Sequence, residues 1–444
     1  MENTLNMTSR RTFLKTSATA GLTLSFAPSF AFRGAPNDTV VIGVMGVNSR
    51  GLYLAQQFAK LPNVVVGYIC DVDTTAAEKA AAEVEKISGK KPKLVPDVRN
   101  LLREKDLDAL AIAAPDHWHA PAAIMACQAG KHVYVEKPCS HNPAEGEMLV
   151  EAAQKYNRLV QLGSQRRSFP TLQEATKSLK EGIIGRVYLA KGWYAAGRKS
   201  IGTGKPAPVP ANLNFDLWQG PAPRREFKDN LVHYNWHWFW HWGTGESLNN
   251  GTHELDVMRW GLGVDYPTKV SSTGGRLHFE DDWETPDTQV INYEFPGRVM
   301  MTWEGRSCNS HPIEGSGRGV IFYGDNGTMV IPGGADYKVF DGKNKLVKEV
   351  KKGDKMDATN TVSATGDMDA LHIANFVEAV RGTTKLTAPI SEGHKSTLLP
   401  QLGNIAYRTG SILTCNPANG RILDNREAQK LWKREYEKGW NVIV

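Results

Sequence analysis

TVVIGVMGVNSRG, Thr39 to Gly51, is the stretch on which the fold turns. Thr39 to Met45 is β-branched and apolar without alternation, the composition of a parallel strand buried on both faces. Gly46-Val47-Asn48-Ser49-Arg50-Gly51 follows at once, then a helical stretch, Leu52 to Leu61, and a second apolar run, Val64 to Cys70, that ends at Asp71. Strand, glycine-bearing turn, helix, strand and acid is the order of a dinucleotide-binding unit. Gly46 permits the tight turn and Gly51 lets the helix approach the strand. The helix start at Asn48, Ser49 and Arg50 offers amides and a positive dipole end to a pyrophosphate. Asp71 is placed to accept hydrogen bonds from an adenosine ribose. An acid there repels a 2′-phosphate, and Val72 and Asp73 supply no arginine to bind one, so NAD is favoured over NADP; Arg50 is the one nearby cation of opposite tendency. Asn48 stands where the motif has its middle glycine, and its tolerance of positive φ keeps the turn feasible.

Outward from this unit the alternation continues. Leu107 to Ala114 is a third strand, ending in Pro115-Asp116-His117-Trp118-His119, and Pro121 to Ala129 is a helix. His132 to Val135 is a fourth strand, ending in Glu136-Lys137-Pro138; the helix Pro143 to Tyr156 then leads to Leu159–Leu162 and Gly163-Ser164-Gln165-Arg166-Arg167. Polar residues at every strand's C-terminal end describe a doubly wound sheet with its cleft along that edge. Beyond Arg167 the period changes to strands joined by turns, at Val187–Tyr194, Lys269–Thr273, Thr288–Phe295, Val299–Glu304, Val320–Tyr323 and Thr328–Ile331. The fold class is therefore α/β, an N-terminal Rossmann domain over 38–167 and a C-terminal α+β domain over 168–444 with an open, mostly antiparallel sheet. The helices Met368–Arg381 and Glu392–Thr409 close the chain, the latter with Ser391 as N-cap.

The 444 residues fit two domains or three. Net charge is +6, but Arg10, Arg11, Lys15 and Arg33 against Glu2 give +3 to the first 33 residues, leaving +3 for the remainder. That is no electrostatic case for nucleic acid. The basic run Lys343–Lys355 is interleaved with acids and reads as a solvated hairpin. Five cysteines without a CxxC imply neither a disulfide framework nor a zinc site. Ser9-Arg10-Arg11-Thr12-Phe13-Leu14-Lys15 ahead of a short apolar run, Ala18–Phe30, has the form of a signal peptide over 1–33 and closely resembles the twin-arginine export motif. The implied partner is the twin-arginine machinery and the implied location periplasmic or otherwise exported, with no stable membrane anchor.

IGVMGVNSRG, CDVD, APDHWH, EKP and GSQRR, in this order, resemble the Gfo/Idh/MocA oxidoreductases, named for glucose–fructose oxidoreductase and inositol dehydrogenase. The resemblance runs from about Asp38 to the C-terminal region and implies NAD as cofactor. It implies that Glu136 holds the nicotinamide ribose, and it sets Pro115, His119 and Gln165 beside the nucleotide. Oxidation of a secondary alcohol needs the hydroxyl proton taken as the hydride leaves, and Lys137, a lysine in a cleft with its pKa lowered by desolvation, is the leading group for that task. Pro138 is a candidate for a cis bond. A second constellation, Asn249, His253 and Asp256, matches a family pattern whose first position is usually Asp. Asn cannot take a proton, so Lys137 and His253 carry the acid/base work and Asn249 orients a hydroxyl; a continuous helix would put Asn249 and His253 on one face.

YNWHWFWHW, Tyr234 to Trp242, pairs its indoles on one face either as strand or as helix. A membrane belt lacks a spanning run, and a metal at His237 and His241 lacks further ligands. The remaining readings are packing beneath the catalytic helix and a wall for a sugar, with Arg166, Trp193, Trp240 and Asp256 as substrate-side candidates. These features point to an NAD-dependent enzyme oxidising a hydroxyl of a sugar, glycoside or polyol. Two alternatives stand beside it: redox-assisted glycoside cleavage or epimerisation with recycled NAD, and a non-catalytic sugar-binding relative. The open sheet face favours a homo-oligomer, a dimer or tetramer. No metal is implied.

Overall fold

The computed structural model describes residues 39–334, 336–351, 367–440 and 442–444, so the SRRTFLK signal lies outside the described residues, as does the end of the basic run after Lys351. Six parallel strands, β1 (Val40–Met45), β2 (Val64–Cys70), β3 (Lys93–Leu94), β4 (Ala109–Ile112), β5 (His132–Val135) and β6 (Val160–Leu162), lie in the order β3-β2-β1-β4-β5-β6. Their unbroken apolar runs are explained by burial on both faces. Ile42 and Val44 of β1 meet Leu54, Ala55 and Phe58 of the helix Arg50–Ala59, together with the helix Thr74–Ser88. On the other face, Met45 joins the core beneath the helices Asp116–Gln128 and Pro143–Lys155. Each fully buried Val, Leu or Ile contributes about 1.5–3 kcal/mol of transfer free energy. The strand order reverses between β1 and β4, which opens a crevice at their carboxyl ends.

The second sheet has ten strands: β7 (Val187–Ala195), β8 (Lys269–Gly275), β9 (Thr288–Phe295), β10 (Val299–Arg306), β11 (Arg318–Gly324), β12 (Gly327–Pro332), β13 (Tyr337–Asp341), β14 (Leu346–Val350), β15 (Leu413–Cys415) and β16 (Ile422–Leu423). Their order is β14-β13-β12-β11-β7-β10-β9-β8-β15-β16, antiparallel except for β7 against β10. One face carries the helices Gly251–Leu262 and Ile390–Thr409 over a core that includes Tyr194, Trp303, Phe322 and Leu402. The basic run Lys343–Lys351 is indeed the exposed β13–β14 hairpin.

Several local expectations change. The segment after β4 is helical from Asp116, not from Pro121, which sits inside that helix. The carbonyl that Pro121 cannot serve, that of His117, accepts instead from Arg434 Nη2 at 2.7 Å. The helix expected over Glu392–Thr409 with Ser391 as N-cap starts at Ile390 after Pro389, whose ring offers no capping side chain, and Glu392 in its first turn reaches Arg259. The Asn249/His253 helix is broken: Glu246–Asn249 ends, and Gly251–Leu262 begins beyond Asn250. A Cβ on Gly251 would lie 2.7 Å from the Trp303 indole, so glycine permits the close approach there. The Trp-rich segment is neither strand nor α-helix but a tight turn over Asn235–Trp238.

Candidate active site

At the end of β1, Gly46 has φ +80°, and a Cβ there would meet the Ala114 backbone at 2.5 Å. A Cβ on Gly51 would lie 2.0 Å from the Gly46 carbonyl oxygen. Both glycines are therefore sterically required. Asn48 is not among the residues with positive φ, so Gly46 alone carries the turn and the missing middle glycine costs no strain. Ser49 precedes the helix without a side-chain cap bond, and no acid lies in the helix's first turn, which leaves that end open to an anion. Asp71 accepts from the Val47 amide at 2.6 Å and from the Asp73 amide at 2.9 Å. Burial raises its pKa against these two bonds. Gly46, Asn48, Asp71, Val72, Ala114 and Pro115 line one continuous pocket, whose far wall is Trp218, His233 and Trp236. Its form suits the adenosine half of a dinucleotide.

A second pocket continues the cleft past Asn48, His233 and Trp236, which line both. Ser49, Arg50, Asp116, His119, Glu136, Lys137, Tyr234, His237, Asn249 and Asn250 complete it, bringing most of the expected cofactor and catalytic residues together. Arg50 does not turn towards Asp71: its guanidinium bonds Glu136 at 2.7 Å and grips Asp369, which removes the cation that had spoken for NADP. Burial alone would raise Glu136, but Arg50 and Lys137 outweigh it and hold the carboxylate below its ordinary range. Gln165 stands behind Glu136, its amide 3.3 Å from Oε1. Both ring nitrogens of His119 face backbone carbonyls, Pro138 at 2.6 Å and Ala114 at 2.7 Å, so it fixes the floor rather than reaching into the cleft.

Lys137 follows β5, and its peptide bond to Pro138 is cis. Its Nζ donates to the Asn249 carbonyl at 2.6 Å and to Asn249 Oδ1 at 3.0 Å. The helix break makes this possible, because the His253 amide bonds Asn250 and leaves the Asn249 carbonyl free for the lysine. Burial lowers the Lys137 pKa against the pull of Glu136 and Asp116. Asp116 is buried beside it, accepts from the Thr244 hydroxyl, and is raised by desolvation. His237 was read in the sequence only as a weak metal ligand, yet it lines the cleft. Its Nδ1 lies 2.6 Å from the Tyr234 carbonyl and its ring stacks on Trp236 with centroids 3.6 Å apart. Nδ1 must carry the proton, which leaves Nε2 as an acceptor. Burial pushes the His237 pKa well down, helped by Lys137 and Arg198, so the ring is neutral.

Other expected residues lie elsewhere. His253 is buried, does not line the cleft, and is held neutral by burial and by Arg318 and Lys137. Arg166 points into the sheet domain, donating to the Gly333 carbonyl at 2.8 Å, because Glu254 draws it inward. Asp256 is locked by Arg167 at 2.8 Å and by the Ser396 hydroxyl, a structural role. Trp193 is turned by the pleat to the sheet face opposite Tyr194 and packs on Ile321 and Val330. Trp240 lines a different cavity; of the four indoles, Trp236 is the one in the cleft. His241 bonds the Pro223 carbonyl, and among the described residues no group of His, Cys, Asp and Glu could hold a metal. The five cysteines are unpaired, and no described helix is long and apolar enough to cross a membrane. Asp116, Tyr234 and His237 were missed as site residues. Asp116 was visible at a strand end, whereas the other two lie in a loop whose path no periodicity foretells.

Comparison with known proteins places these two sheets together. Residues 39–164 match the model of an oxidoreductase family NAD-binding Rossmann fold, and residues 204–410 match that family's C-terminal alpha/beta domain. A Glycosyl hydrolase family 109 protein of Saccharopolyspora erythraea is 32% identical over 216 residues, 44% of this chain and 47% of that protein. The chain thus spans about half the length of that curated relative. An alpha-N-acetylgalactosaminidase of Shewanella oneidensis is 32% identical over 126 residues, 27% of this chain and 28% of that protein. Two solved structures share the fold. Levoglucosan dehydrogenase in complex with NADH and levoglucosan has a TM-score of 0.65 at 19% identity, covering 85% of this chain and 99% of that one. The WlbA dehydrogenase from Bordetella pertussis, in complex with NADH and UDP-GlcNAcA, has a TM-score of 0.62 at 19% identity over 85% and 99%.

Proposed function

The chain belongs to the Gfo/Idh/MocA family of NAD-binding oxidoreductases, and we propose that it oxidises a secondary hydroxyl of a sugar, glycoside or polyol, with Lys137 as the proton acceptor. The observation that carries this reading is the Lys137–Asn249 pair facing Glu136 and His237 in one cleft. Gly46, Gly51 and Asp71 would hold the adenosine half of NAD and Glu136 its nicotinamide ribose, and the bound cofactor would supply the hydride acceptor. Lys137, lowered by burial, takes the hydroxyl proton at Nζ. Asn249 aims that nitrogen from both its oxygens. His237 Nε2 accepts a hydrogen bond from a neighbouring hydroxyl, and Trp236 beneath it keeps the ring in place. His237→Phe is expected to raise KM about tenfold, the loss of roughly one hydrogen bond, with a smaller fall in kcat. A kcat loss with unchanged KM would remove His237 from substrate binding.

NAD is preferred over NADP, since among the described residues no lysine or arginine lines the pocket beside Asp71 to neutralise a 2′-phosphate. Asp71→Ala should weaken NAD binding by about 10–100-fold, the worth of hydrogen bonds to a charged group. Equal NAD affinity in the variant would show that Asp71 serves only the turn. The N-terminal SRRTFLK supports export by the twin-arginine route. Arg10→Lys with Arg11→Lys should retain the protein in the cytoplasm, and unchanged export in fractionated cells would refute that route. An exported enzyme has no free NAD pool to draw on, which favours a nucleotide that stays bound and passes its hydride back to the sugar or on to a second substrate.

A second reading is favoured by the relatives named for glycosidase activity. In it the same oxidation acidifies a neighbouring C–H, whose proton is removed as the glycosidic oxygen leaves and takes up a proton; water then adds across the new double bond and the keto sugar is re-reduced by the same nicotinamide. A glycoside panel with product analysis separates the two: a persistent keto sugar marks the first, released aglycone with no net nicotinamide change the second. Binding with neither outcome would mark a non-catalytic protein.

A further inference from the structure

Glu246 opens the short helix Glu246–Asn249 that carries Asn249, and its side chain is buried. Donors surround its carboxylate. Arg198 Nε and the Ser307 hydroxyl, the latter at 3.2 Å, meet Oε2. Arg198 Nη2 at 3.3 Å, Asn249 Nδ2 at 3.4 Å and Asn250 Nδ2 meet Oε1. A carboxylate paired with arginine only accepts, so no neighbour can turn an oxygen towards it. Asn249 must therefore give its amide nitrogen to Glu246, and its Oδ1 faces Lys137, 3.0 Å from Nζ.

That orientation bears on the lysine. A neutral amine has two N–H bonds and one lone pair. With the Asn249 carbonyl accepting at 2.6 Å and Oδ1 at 3.0 Å, both N–H bonds are engaged and the lone pair is left for a substrate hydroxyl. A reversed Asn249 amide would donate into that lone pair and occupy it. Charge acts at the same place. The groups facing Lys137 are Glu136 before it, Arg50, Asp116 and Glu246 from three helices, and the rings of His237 and His253. Burial, with Arg50, favours the neutral amine, while Glu136, Asp116 and Glu246 favour the ammonium. Arg50 bonds Glu136, Thr244 donates to Asp116, and both rings are neutral. Glu246 in turn is faced by Arg198, which also donates to the Tyr234 hydroxyl at 2.9 Å, and by Tyr194 and Cys308, which burial keeps protonated.

We propose that Glu246 is a positioning residue: through Asn249 it holds the Lys137 amine with its lone pair open to the substrate hydroxyl, and it sets a negative charge behind that amine. The inference rests on Lys137 as the proton acceptor, but its first test needs no turnover. The full chain with NAD bound, labelled with carbon-13 at lysine Cε, is titrated by NMR, and the Lys137 signal is identified by its absence from Lys137→Met. Glu246→Gln, of nearly equal size, removes the charge and turns an N–H against one of the donors. The Lys137 midpoint is expected to fall by about half a pH unit or more. Arg198→Gln removes the cation that offsets Glu246, and the midpoint is expected to rise. Loss of packing alone would not move the two in opposite directions. With the glycoside turned over in the panel, Glu246→Gln should lose about tenfold in kcat with KM held within about twofold. The proposal is overturned if Glu246→Gln leaves the midpoint or kcat unchanged, or if both variants move the midpoint the same way. Should Glu246→Gln not fold, an Arg198→Gln midpoint at or below that of the wild type overturns it. Failure of the Lys137 reading looks different: Lys137→Met then keeps full turnover, whatever the two midpoints do.

Discussion

The Lys137→Met variant is expected to keep its nucleotide and to lose about 10²–10⁴-fold in kcat for sugar oxidation, the contribution of a positioned proton acceptor. Methionine keeps the length of the stem and removes the amine. The neighbours are poorer acceptors: Asn249 does not titrate, the Asp116 carboxylate is engaged by Thr244, His253 does not line the cleft, and burial holds His237 well below 6.5, a weak base. The pH profile supplies an independent check. Oxidation needs the neutral amine, so its rate rises with pH through the Lys137 pKa and then levels; burial puts that pKa below the ordinary 10.5. Reduction of the ketone needs the ammonium and falls over the same range. His237, neutral throughout because burial holds it far below 6.5, adds no limb there. Stopped-flow nicotinamide absorbance reads both, and a Lys137→Met enzyme with undiminished transfer would end Lys137's assignment.

Glu254→Leu is expected to destabilise the protein by about 3–5 kcal/mol, the cost of breaking a buried ion pair from one side. Glu254 is fully buried, and Arg318, 1% exposed, bonds it at 2.9 Å through Nε and 2.8 Å through Nη2; Arg166 stands 3.9 Å away. Removing the acid strands two guanidinium groups in the sheet core. Burial lowers the Arg166 pKa to about 10 even with Glu254 present, so Arg166 already tolerates its position poorly. The loss also reaches the site. Arg318 donates to the Asn250 carbonyl at 3.3 Å, at the break that frees Asn249 for Lys137. Glu254→Gln keeps an acceptor and should lose less. Denaturant midpoints at constant m-value measure both. A loss under about 1 kcal/mol, as at a surface pair, would show that the network is dispensable.

What the sequence disclosed follows from which forces are local. The Rossmann unit was legible because a doubly buried strand, the Gly46 turn and Asp71 are each dictated within a few residues. The antiparallel sheet was legible from alternation, although β15 and β16 were not, being too short to show a period. The site was only partly legible. Lys137 and Asn249 were identified, but their contact depends on a helix break at Asn250 beside Gly251, where Trp303, over fifty positions away in sequence, packs closely. Arg166, Trp193 and Asp256 were misplaced for a related reason. Polarity or aromatic character says that a residue needs a partner, and only the tertiary fold says whether that partner is a ligand, Glu254, Arg167 or the outer face of a sheet. His237 reversed the error: its role rests on a carbonyl bond and a stacking contact inside an irregular loop.

The most direct test of the central claim is isotope transfer. The protein with bound NAD is mixed with a glycoside deuterated at every ring carbon and quenched at intervals within the first turnover, and the nicotinamide is analysed by mass spectrometry. Hydroxyl oxidation in this cleft predicts a nicotinamide carrying one deuterium in the wild type and none in Lys137→Met on the same timescale. Product formed by the wild type with no deuterated nicotinamide at any interval would contradict it.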